Sequence, residues 1–493
     1  MKDKSKVSKV LSILLSVVLV ISSFYLLYQV IRLNVLPSKF LFPLTIGVVV
    51  LDAIFVLLLV YFSKNVVSKI VCVVLMLFIC IASCMGGYYI SKTQSVLNNI
   101  TNVAKHAKNT VSVIVKESSS IKDKSSLNGV SVGSLRLNEE GSKKVLKELS
   151  GEGIVLNQSE YDSMTALLEA FYNGEVDSII INELSRSQIL DMEAYSNFDS
   201  NTRVVYQTSY KVKNNDSATS VSDITSKPFN VLISGSDTRG GFDENGRSDV
   251  IMVATVNPKT HTILLTSVPR DFYVTTACDA GDGCMQGALD KITHTGIHGT
   301  NTTKRTVEQL LGIEINYTFK VGFDTVTELV DVLGGVDVYV EPGYATTTSE
   351  FSVHEGVNHL NAQQALAFAR ERYSYTEGDR QRTKNQQQVL MGIVKEATKP
   401  SVITNYAAIM DTMANTFSTT MSNDEITALI KYQLNNNPTW KMEQYMVDGT
   451  GDTLMCAELG DAAYVMVPDQ STVKMAKDKI NAVLAGKSSD DVK

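Results

Sequence analysis

The sequence predicts an α/β protein: a mixed central sheet flanked by helices, a smaller α/β accessory domain before it, and three transmembrane helices at the amino terminus. Apolar runs of about twenty residues, the length that spans a bilayer, are concentrated at the start of the chain. Strand-like and helix-like patterns then alternate along the rest of the 493 residues, which is typical of α/β folds.

The apolar runs occupy residues 10–31, 40–62 and 70–90. A cleaved signal peptide is the alternative for the first run, but two further runs follow after short loops, which favours three spans. Four lysines precede the first run and favour a cytoplasmic amino terminus. We therefore expect a multi-pass protein of the cell membrane, with everything after about residue 91 outside the cell.

Two polar features of this arrangement can be checked against a structure. Asp52 lies within the second apolar run, where it indicates either a hydrogen bond between helices or a contact with a partner or lipid. Cys278 and Cys284 flank a glycine-rich loop. A disulfide closing that loop would suit an oxidising exterior, although the sequence leaves the pairing open.

The chain divides into three predicted parts: a membrane anchor at 1–91, an accessory domain with a linker at 92–227, and a catalytic domain at 228–485. The accessory part shows helix patterns at 141–149 and 163–173 but no constellation of chemical groups. Its last stretch, 213–227, is polar and turn-rich, which predicts a linker.

The third part begins with three strand-like runs, of which the last two are joined by a turn at 257–260 that predicts a β-hairpin. The predicted strands are 229–234, 250–256, 262–268 and 336–340, and the predicted helices are 303–311, 323–333, 361–368 and 379–396. Asn361 and Asp379 are the expected amino-terminal caps of the last two helices.

Acids and arginines follow or precede these strands. Asp237 follows the first strand, Asp249 precedes the second, with Arg247 two residues before it, and Arg270 follows the third. If the three strands are antiparallel neighbours, all four side chains reach one edge of the sheet. Carboxylate pairs suit a divalent cation, and guanidinium groups suit phosphate oxygens.

A second group of polar residues lies further along the chain. Arg370 and Arg372 share a face if their segment is extended. Arg382 and Gln386 share a face of the last predicted helix, and its amino-terminal turns favour an anion. Both groups together predict a clamp for a magnesium-bound diphosphate. The alternative interpretation is a set of solvated ion pairs, each worth under about 1 kcal/mol.

Several motifs occur in an order that resembles the LytR-CpsA-Psr domain. They are NVLISGSDTR at 230–239, RSD at 247–249, VPRD at 268–271, DKI at 290–292, GGV at 334–336, ARER at 369–372 and GDRQRTKNQ at 378–386. The three-span anchor followed by an accessory domain looks most like the capsule-associated CpsA type of streptococci.

The resemblance implies a Mg²⁺-dependent phosphotransferase that attaches capsular polysaccharide, or a related glycopolymer, from a polyprenyl diphosphate carrier to peptidoglycan. It implies the following residue roles: Mg²⁺ binding by Asp237 and Asp249; diphosphate binding by Arg247, Arg270, Arg370, Arg372, Arg382 and Gln386. We further expect catalytic roles for Arg247, Arg270 and Asp379. Asn385 departs from the pattern, since many wall-linking relatives carry an arginine there. Other capsule-assembly proteins are further expected partners.

Other functions remain open at the level of sequence. A pyrophosphatase acting on the carrier lipid and a non-catalytic sensor of lipid-linked glycan would use the same residue types. Nucleic acid is not an expected partner, because the net charge is -7 and the predicted cytoplasmic portion is short. Val326, Leu329, Val330 and Leu333 are candidates to line a pocket for the isoprenoid tail, with ordinary core as the alternative. Asp271 and Asp379 are the nearest acids to accept the acceptor's proton.

Overall fold

The structure, a computed structural model, describes residues 2–62, 65–101, 106–136, 139–236, 245–279, 284–399, 408–409, 412 and 417–492. Its amino-terminal part consists of three helices that are long and apolar enough to cross a membrane. They are α1 (Lys2–Leu33), α2 (Ser38–Leu57, extended by a π-helical turn to Phe62) and α3 (Val66–Thr101). Helix α3 continues eleven residues past the end of the third predicted apolar run.

The polar residue inside the second helix contacts the first. Ser23 donates a hydrogen bond to Oδ1 of Asp52 at 3.0 Å, and both side chains are buried. This confirms the predicted hydrogen bond between helices, since a polar group within a membrane helix needs an internal partner.

The accessory part is a five-stranded mixed sheet with helices packed on it. Its strands are β1 (His106–Lys116), β2 (Ser131–Leu135), β3 (Asn157–Tyr161), β4 (Ser178–Asn182) and β5 (Thr202–Lys213), in the order β3-β2-β4-β1-β5. Its helices are α4 (Glu139–Gly151), α5 (Met164–Asn173), α6 (Arg186–Asp191) and α7 (Phe198–Asn201). Leu167, Leu168 and Phe171 of α5 are fully buried, so the apolar face predicted for this helix is the face that packs on the sheet.

The turn-rich stretch after β5 lies against the third part. The backbone N–H of Val221 donates to the hydroxyl of Tyr317 at 2.9 Å, and that of Thr219 donates to the carbonyl of Asn316 at 2.9 Å. Ile224 is buried in the same contact. The predicted linker therefore packs along the third part. Its end at residue 227 stays a prediction.

The third part is built on a six-stranded mixed sheet, in the order β16-β11-β6-β7-β8-β17. Its strands are β6 (Phe229–Ser236), β7 (Ser248–Asn257), β8 (Thr262–Ser267), β11 (Tyr317–Gly322), β16 (Phe417–Thr419) and β17 (Lys441–Met446). The strands outside it are β9 (Tyr273–Thr275), β10 (Leu289–Lys291), β12 (Val336–Val340), β13 (Thr346–Thr347), β14 (Ser352–Val353), β15 (Gly356–Leu360), β18 (Gly449–Cys456) and β19 (Asp461–Pro468).

Helices cover both faces of this sheet. They are α8 (Thr300–Leu311), α9 (Phe323–Leu333), α10 (Ala362–Arg370), α11 (Asp379–Ala397), α12 (Asn423–Asn436) and α13 (Gln470–Leu484). Leu232, Val253 and Leu264 face α8 and α13, whereas their chain neighbours Val231 and Ala254 face α11 and α12. This period-2 alternation, apolar on both sides, is what a sheet buried between two helical layers requires. The fold is therefore the predicted mixed α/β architecture.

Some predicted helix ends are wrong in detail: α8 begins at Thr300, three residues before its predicted start, and the ends of α10 and α11 also differ. Helix α11 is capped by Gly378, which has φ 53°, and Asp379 is its first helical residue rather than its cap. A glycine adopts this positive φ without a steric penalty, so the chain can turn sharply into the helix there. Helix α10 runs to Arg370, two residues beyond its predicted end, whereas its predicted cap Asn361 is confirmed by a bond from the N–H of Gln364.

The third part also rests on the ends of the membrane helices. Lys431 on α12 donates to Oδ1 of Asn34, in the turn between α1 and α2, at 2.6 Å. Thr101 at the end of α3 donates to Asn423 at 2.9 Å, and Leu97 packs in the same cluster as Leu329. The α1–α2 turn and the six-stranded sheet therefore lie on the same side of the three helices.

Candidate functional site

The strand register brings the predicted polar segments to one edge of the sheet. Strands β6 and β7 are antiparallel, with Gly235 opposite Val250, and β7 and β8 are antiparallel, with Met252 opposite Ser267. The end of β6, the start of β7 and the end of β8 therefore meet, as predicted. Asp237 itself lies outside the described residues.

Asp249 and Arg270 meet at this edge. Nη1 of Arg270 donates to Oδ1 of Asp249 at 3.0 Å, and the hydroxyl of Thr293 donates to the same oxygen at 3.2 Å. The side chain of Asp249 is only 8% exposed. The predicted convergence of these two residues is therefore confirmed, and their ion pair is screened from water on most sides.

The surroundings of Arg270 are strongly acidic. Burial by itself opposes the positive charge, but the carboxylates of Asp249, Asp271 and Asp379 together raise the pKa of Arg270 above its ordinary value. Asp379 belongs to α11, so the start of that helix faces the same edge of the sheet. Arg270 therefore stays fully protonated within a ring of acids from three segments of the chain.

Arg382 lies one turn into α11 and forms an ion pair with Asp379. Burial lowers the pKa of Arg382, and the nearby positive charges of Arg270 and Arg372 lower it further, while Asp379 opposes the shift. Arg270 and Arg372, two other predicted phosphate-binding arginines, thus lie close enough to repel the charge of Arg382. An anion placed between them would relieve that repulsion.

Two of these guanidinium groups have unused hydrogen-bonding capacity. The Nε atoms of Arg270 and Arg382 are buried and have no hydrogen-bond acceptor among the described residues. Nε of Arg270 forms an ion pair with Oδ2 of Asp271, but the distance of 3.7 Å is too long for a hydrogen bond. Buried donors of this kind fit the oxygens of a bound phosphate, and α11 adds the positive end of its dipole.

Arg247 is almost completely buried, with 9% of its side chain exposed. Its Nη1 donates to Oδ2 of Asp191 at 2.5 Å. Asp191 is the last residue of α6, in the accessory part. The sequence pointed to no functional residue in that part, and only the docking of the two units brings this carboxylate to a predicted phosphate-binding arginine.

The pair Arg370 and Arg372 is arranged differently from the prediction. The segment is extended only in part: Glu371 has an extended backbone, but Arg370 is the last residue of α10 and is exposed there. Arg372 follows the helix end, stacks on the ring of Tyr373 at 4.7 Å and is near enough to Arg382 to affect its pKa. Of this pair, Arg372 is the residue placed with the arginine cluster.

Gln386 lies where the polar edge meets an apolar cavity of about 80 Å³. The cavity is lined by the sheet, α9, α10 and α11, through residues that include Ile233, Val250, Met252, Val326, Val389 and Ile393. Of the four predicted pocket residues, Val326 lines this cavity. Val330 is buried in a neighbouring core, and Leu329 and Leu333 pack toward α3. These three residues therefore belong to ordinary packing, the alternative to a lipid pocket.

The residues that the structure describes fit Mg²⁺ only in part. Asp249 offers a hard carboxylate oxygen at the site, but the described ranges contain no group of three or more His, Cys, Asp or Glu side chains that could hold a metal. Mg²⁺ commonly binds through one or two carboxylates and completes its shell with water and phosphate oxygens. The observed donor therefore suits a metal that arrives with a diphosphate.

Sequence patterns missed further residues near the site. Nζ of Lys291 is 3.4 Å from Oδ1 of Asp271, so the DKI motif adds a cation to the acidic ring. Burial raises the pKa of Tyr464 on β19, and Asp271 and Asp379 raise it further, which places this half-exposed ring beside both acids. Asn385, the residue that departs from the family pattern, is buried and donates to the carbonyl of Phe368 at 3.0 Å. It therefore links α11 to α10.

One loop near the site is closed covalently. Cys278 and Cys284 form a disulfide, which answers the pairing that the sequence left open. Residues 280–283 between them lie outside the described residues.

Known proteins resemble this chain over the same region. A family model described as the LytR_cpsA_psr family matches residues 194–482. A Bacillus cereus (strain AH820) protein named polyisoprenyl-teichoic acid–peptidoglycan teichoic acid transferase TagU is 31% identical over 236 residues, which are 47% of this chain and 74% of that protein. The protein of the same name from Bacillus subtilis (strain 168) is 34% identical over 200 residues, which are 40% of this chain and 62% of that protein.

A crystal structure of TagU from B. subtilis is 29% identical, with a TM-score of 0.40, and the match covers 52% of this chain and 97% of that one. The family model spans more than half of the 493 residues, and the Bacillus cereus relative is matched over about three quarters of its length. The chain therefore belongs to the LytR_cpsA_psr family.

Proposed function

We propose that this protein transfers a glycopolymer from a polyprenyl diphosphate carrier to peptidoglycan. The observation that carries the proposal is the cluster of Arg270, Arg372 and Arg382, in which the Nε donors of Arg270 and Arg382 are buried. One turn after Arg382 on the same helix, Gln386 lines an apolar cavity. A polar clamp next to an apolar cavity matches a substrate that joins a diphosphate to a lipid. Relatives named as teichoic acid transferases support the same reaction class.

In the proposed reaction, a hydroxyl oxygen of peptidoglycan attacks the phosphorus bonded to the glycan. A new P–O bond forms, the bond from that phosphorus to the bridging oxygen breaks, and polyprenyl phosphate leaves with the electron pair. Arg270 and Arg382 donate to the phosphate oxygens, where negative charge is held during the transfer. When bound, Mg²⁺ would neutralise further charge on the diphosphate.

The acceptor hydroxyl must lose a proton during the transfer. We assign its removal to Asp379, which lies at the start of α11 and is partly exposed, with 30% of its side chain accessible. Asp271 is the alternative, but it is held between Arg270 and Lys291 and is 17% exposed. The more accessible acid is better placed to meet a hydroxyl that arrives from solvent.

The apolar cavity would take the first isoprene units of the carrier. The third part contacts the ends of the membrane helices through Thr101 and Lys431, so this cavity lies on a unit held at the membrane, where the lipid is. We place that unit outside the cell, as the lysines before α1 indicate. We further propose capsular polysaccharide as the polymer, because a three-span anchor with an accessory unit resembles the capsule-associated type.

The purified full chain in detergent, mixed with a polyprenyl diphosphate-linked glycan, Mg²⁺ and peptidoglycan fragments, tests the proposal. Glycan joined to peptidoglycan through phosphate, together with free polyprenyl phosphate, is the expected result. Release of glycan phosphate without attachment would instead make the protein a pyrophosphatase. Binding with no turnover would make it a sensor of lipid-linked glycan, and either result would overturn the transferase assignment.

A further inference from the structure

The predicted phosphate-binding arginines share a pattern of pairing. Arg270 is bonded to Asp249 and Arg382 is paired with Asp379, and these acids belong to the same unit as the arginines. Arg247 is also bonded to an acid, but its partner Asp191 comes from the accessory unit, 56 residues earlier in the chain. The third pair is therefore completed across two units.

The accessory unit is held in place at a second, separate contact. The backbone N–H of Met164, at the start of α5, donates to the carbonyl of Leu459 at 3.0 Å, and the hydroxyl of Thr165 donates to Asp461. Gly460 lies between them with φ 62°, and a Cβ there would be 2.7 Å from the carbonyl of Asp162. The turn between β18 and β19 is thus packed tightly against the accessory unit.

Asp191 is presented by a short helix that is anchored in the accessory core. Ile189 is fully buried and Gln188 nearly so, whereas Asp191 ends the helix with 62% of its side chain exposed. The partner guanidinium of Arg247 is buried, at 9% exposure. An exposed carboxylate on a fixed helix thus reaches the guanidinium of a long, buried side chain.

We infer that Asp191 is a positioning residue, through which the accessory unit orients Arg247 for the diphosphate of the carrier lipid. An arginine side chain loses up to about 2 kcal/mol of rotamer entropy when it is ordered. A partner that orders it before the ligand arrives removes part of that cost from binding. This inference rests on the proposed function, because it takes the diphosphate as the ligand of Arg247.

The opposite possibility is that Asp191 competes with the diphosphate for Arg247. Removal of the carboxylate would then strengthen binding, whereas the positioning role requires that binding weaken. Asp249 and Asp379 hold their arginines while leaving the Nε atoms of Arg270 and Arg382 without an acceptor. The two possibilities predict opposite changes in affinity, so binding of the diphosphate to Asp191→Asn protein decides between them.

A double-mutant cycle on the detergent-solubilised full chain tests the inference. The variants are Asp191→Asn, Arg247→Ala and the two combined, with Asp191→Glu as the conservative change. Glu193→Gln is the matched control, because Glu193 is an exposed acid two residues further along the same segment. Both the KM and kcat of glycan transfer and the Kd of geranyl diphosphate are measured.

We expect Asp191→Asn to raise KM and Kd about three- to fivefold, as for loss of one ion pair, with a smaller change in kcat. Asp191→Glu should restore part of the affinity, and Glu193→Gln should resemble the wild type. In the Arg247→Ala background, Asp191→Asn should have no further effect. An equal loss in both backgrounds, or a lower KM after Asp191→Asn, would overturn the inference.

Failure of the proposed function is distinguishable from failure of this inference. If the wild type binds geranyl diphosphate but transfers no glycan, the transferase proposal fails. The Kd values of the double-mutant cycle then still decide whether Asp191 positions Arg247. If the wild type does not bind geranyl diphosphate at all, the diphosphate is not the ligand of Arg247 and both fail. If it transfers glycan but the two residues are uncoupled, only the positioning role fails.

Discussion

Nη1 of Arg270 donates to Oδ1 of Asp249 at 3.0 Å, although 21 residues separate them in the chain. The antiparallel run of β6, β7 and β8 produces this contact, because it returns the end of β8 to the start of β7. One partner can donate to phosphate oxygens and the other can bind a cation. Substitution of either partner therefore tests a different part of the proposed chemistry.

Replacing Arg270 with alanine should lower glycan transfer about 10²- to 10³-fold, because a preorganised donor to the phosphate oxygens is lost. The initial rate of transfer at saturating donor is the measurement. Arg380→Ala is the matched control, since Arg380 is half-exposed and pairs with Asp448 at 3.0 Å. A near-normal rate for folded Arg270→Ala protein would show that this arginine takes no part in the reaction.

Asp249→Asn should raise the Mg²⁺ concentration needed for half-maximal transfer at least about tenfold, by analogy with the loss of groups that support a metal. Chelation of Mg²⁺ should abolish transfer by the wild type and restoration of Mg²⁺ should recover it. A titration of transfer rate against Mg²⁺ measures both. Full activity of the wild type in excess chelator would contradict a role for the metal.

Filling the apolar cavity should discriminate between lipid carriers. Val326→Trp replaces a small side chain that lines the cavity of about 80 Å³ with a large indole ring. Because the lipid then loses apolar contact, the KM for a long polyprenyl donor should rise several-fold. A soluble donor with a very short chain serves as the control and should be affected less. If both donors respond equally, the cavity does not hold the lipid tail.

The side of the membrane can be tested by cysteine labelling of intact cells. The two variants are Ser38→Cys and Asn65→Cys. Ser38 is the first residue of α2 and follows the turn whose Asn34 contacts α12, whereas Asn65 lies between α2 and α3. A maleimide that cannot cross the membrane should label Ser38→Cys only. Labelling of Asn65→Cys alone would invert the proposed topology and place the arginine cluster inside the cell.

Acid should destabilise the third part through Glu443 on β17. Burial alone would raise the pKa of Glu443, but hydrogen bonds from Lys441 and Ser489 lower it to about 2, from an ordinary value of 4.5. A depressed folded-state pKa stabilises the fold above pH 4.5, and this contribution is lost as the pH falls toward 2.

Glu443→Gln should therefore cost about 1–3 kcal/mol near neutral pH and flatten the acid dependence of unfolding. Melting of the detergent-solubilised chain between pH 7 and about pH 3 is the measurement. Lys474→Gln is a suitable control, because Lys474 forms an exposed helical pair with Asp478. An unchanged acid profile in Glu443→Gln would show that this carboxylate contributes little.

Local signals in the sequence were sufficient for most elements. The apolar runs at the start of the chain, the strand-like runs of β6 to β8 and the apolar face of α5 depend on residues close together in the chain, and each is confirmed. The ends of α10 and α11 were less well predicted. Several residues near a helix end can begin or stop it, and here Gly378 rather than the expected Asp379 caps α11.

By itself, the sequence determined the membrane helices, the α/β class and the meeting of Asp249 with Arg270, because hydropathy, periodicity and a short hairpin are local properties. Only the tertiary structure decided that Arg370 ends α10 while Arg372 lies near Arg382, that Asn385 is buried, and that Asp191 reaches Arg247. These relationships depend on how distant segments dock, and docking is the sum of many weak contacts that no single stretch of residues encodes.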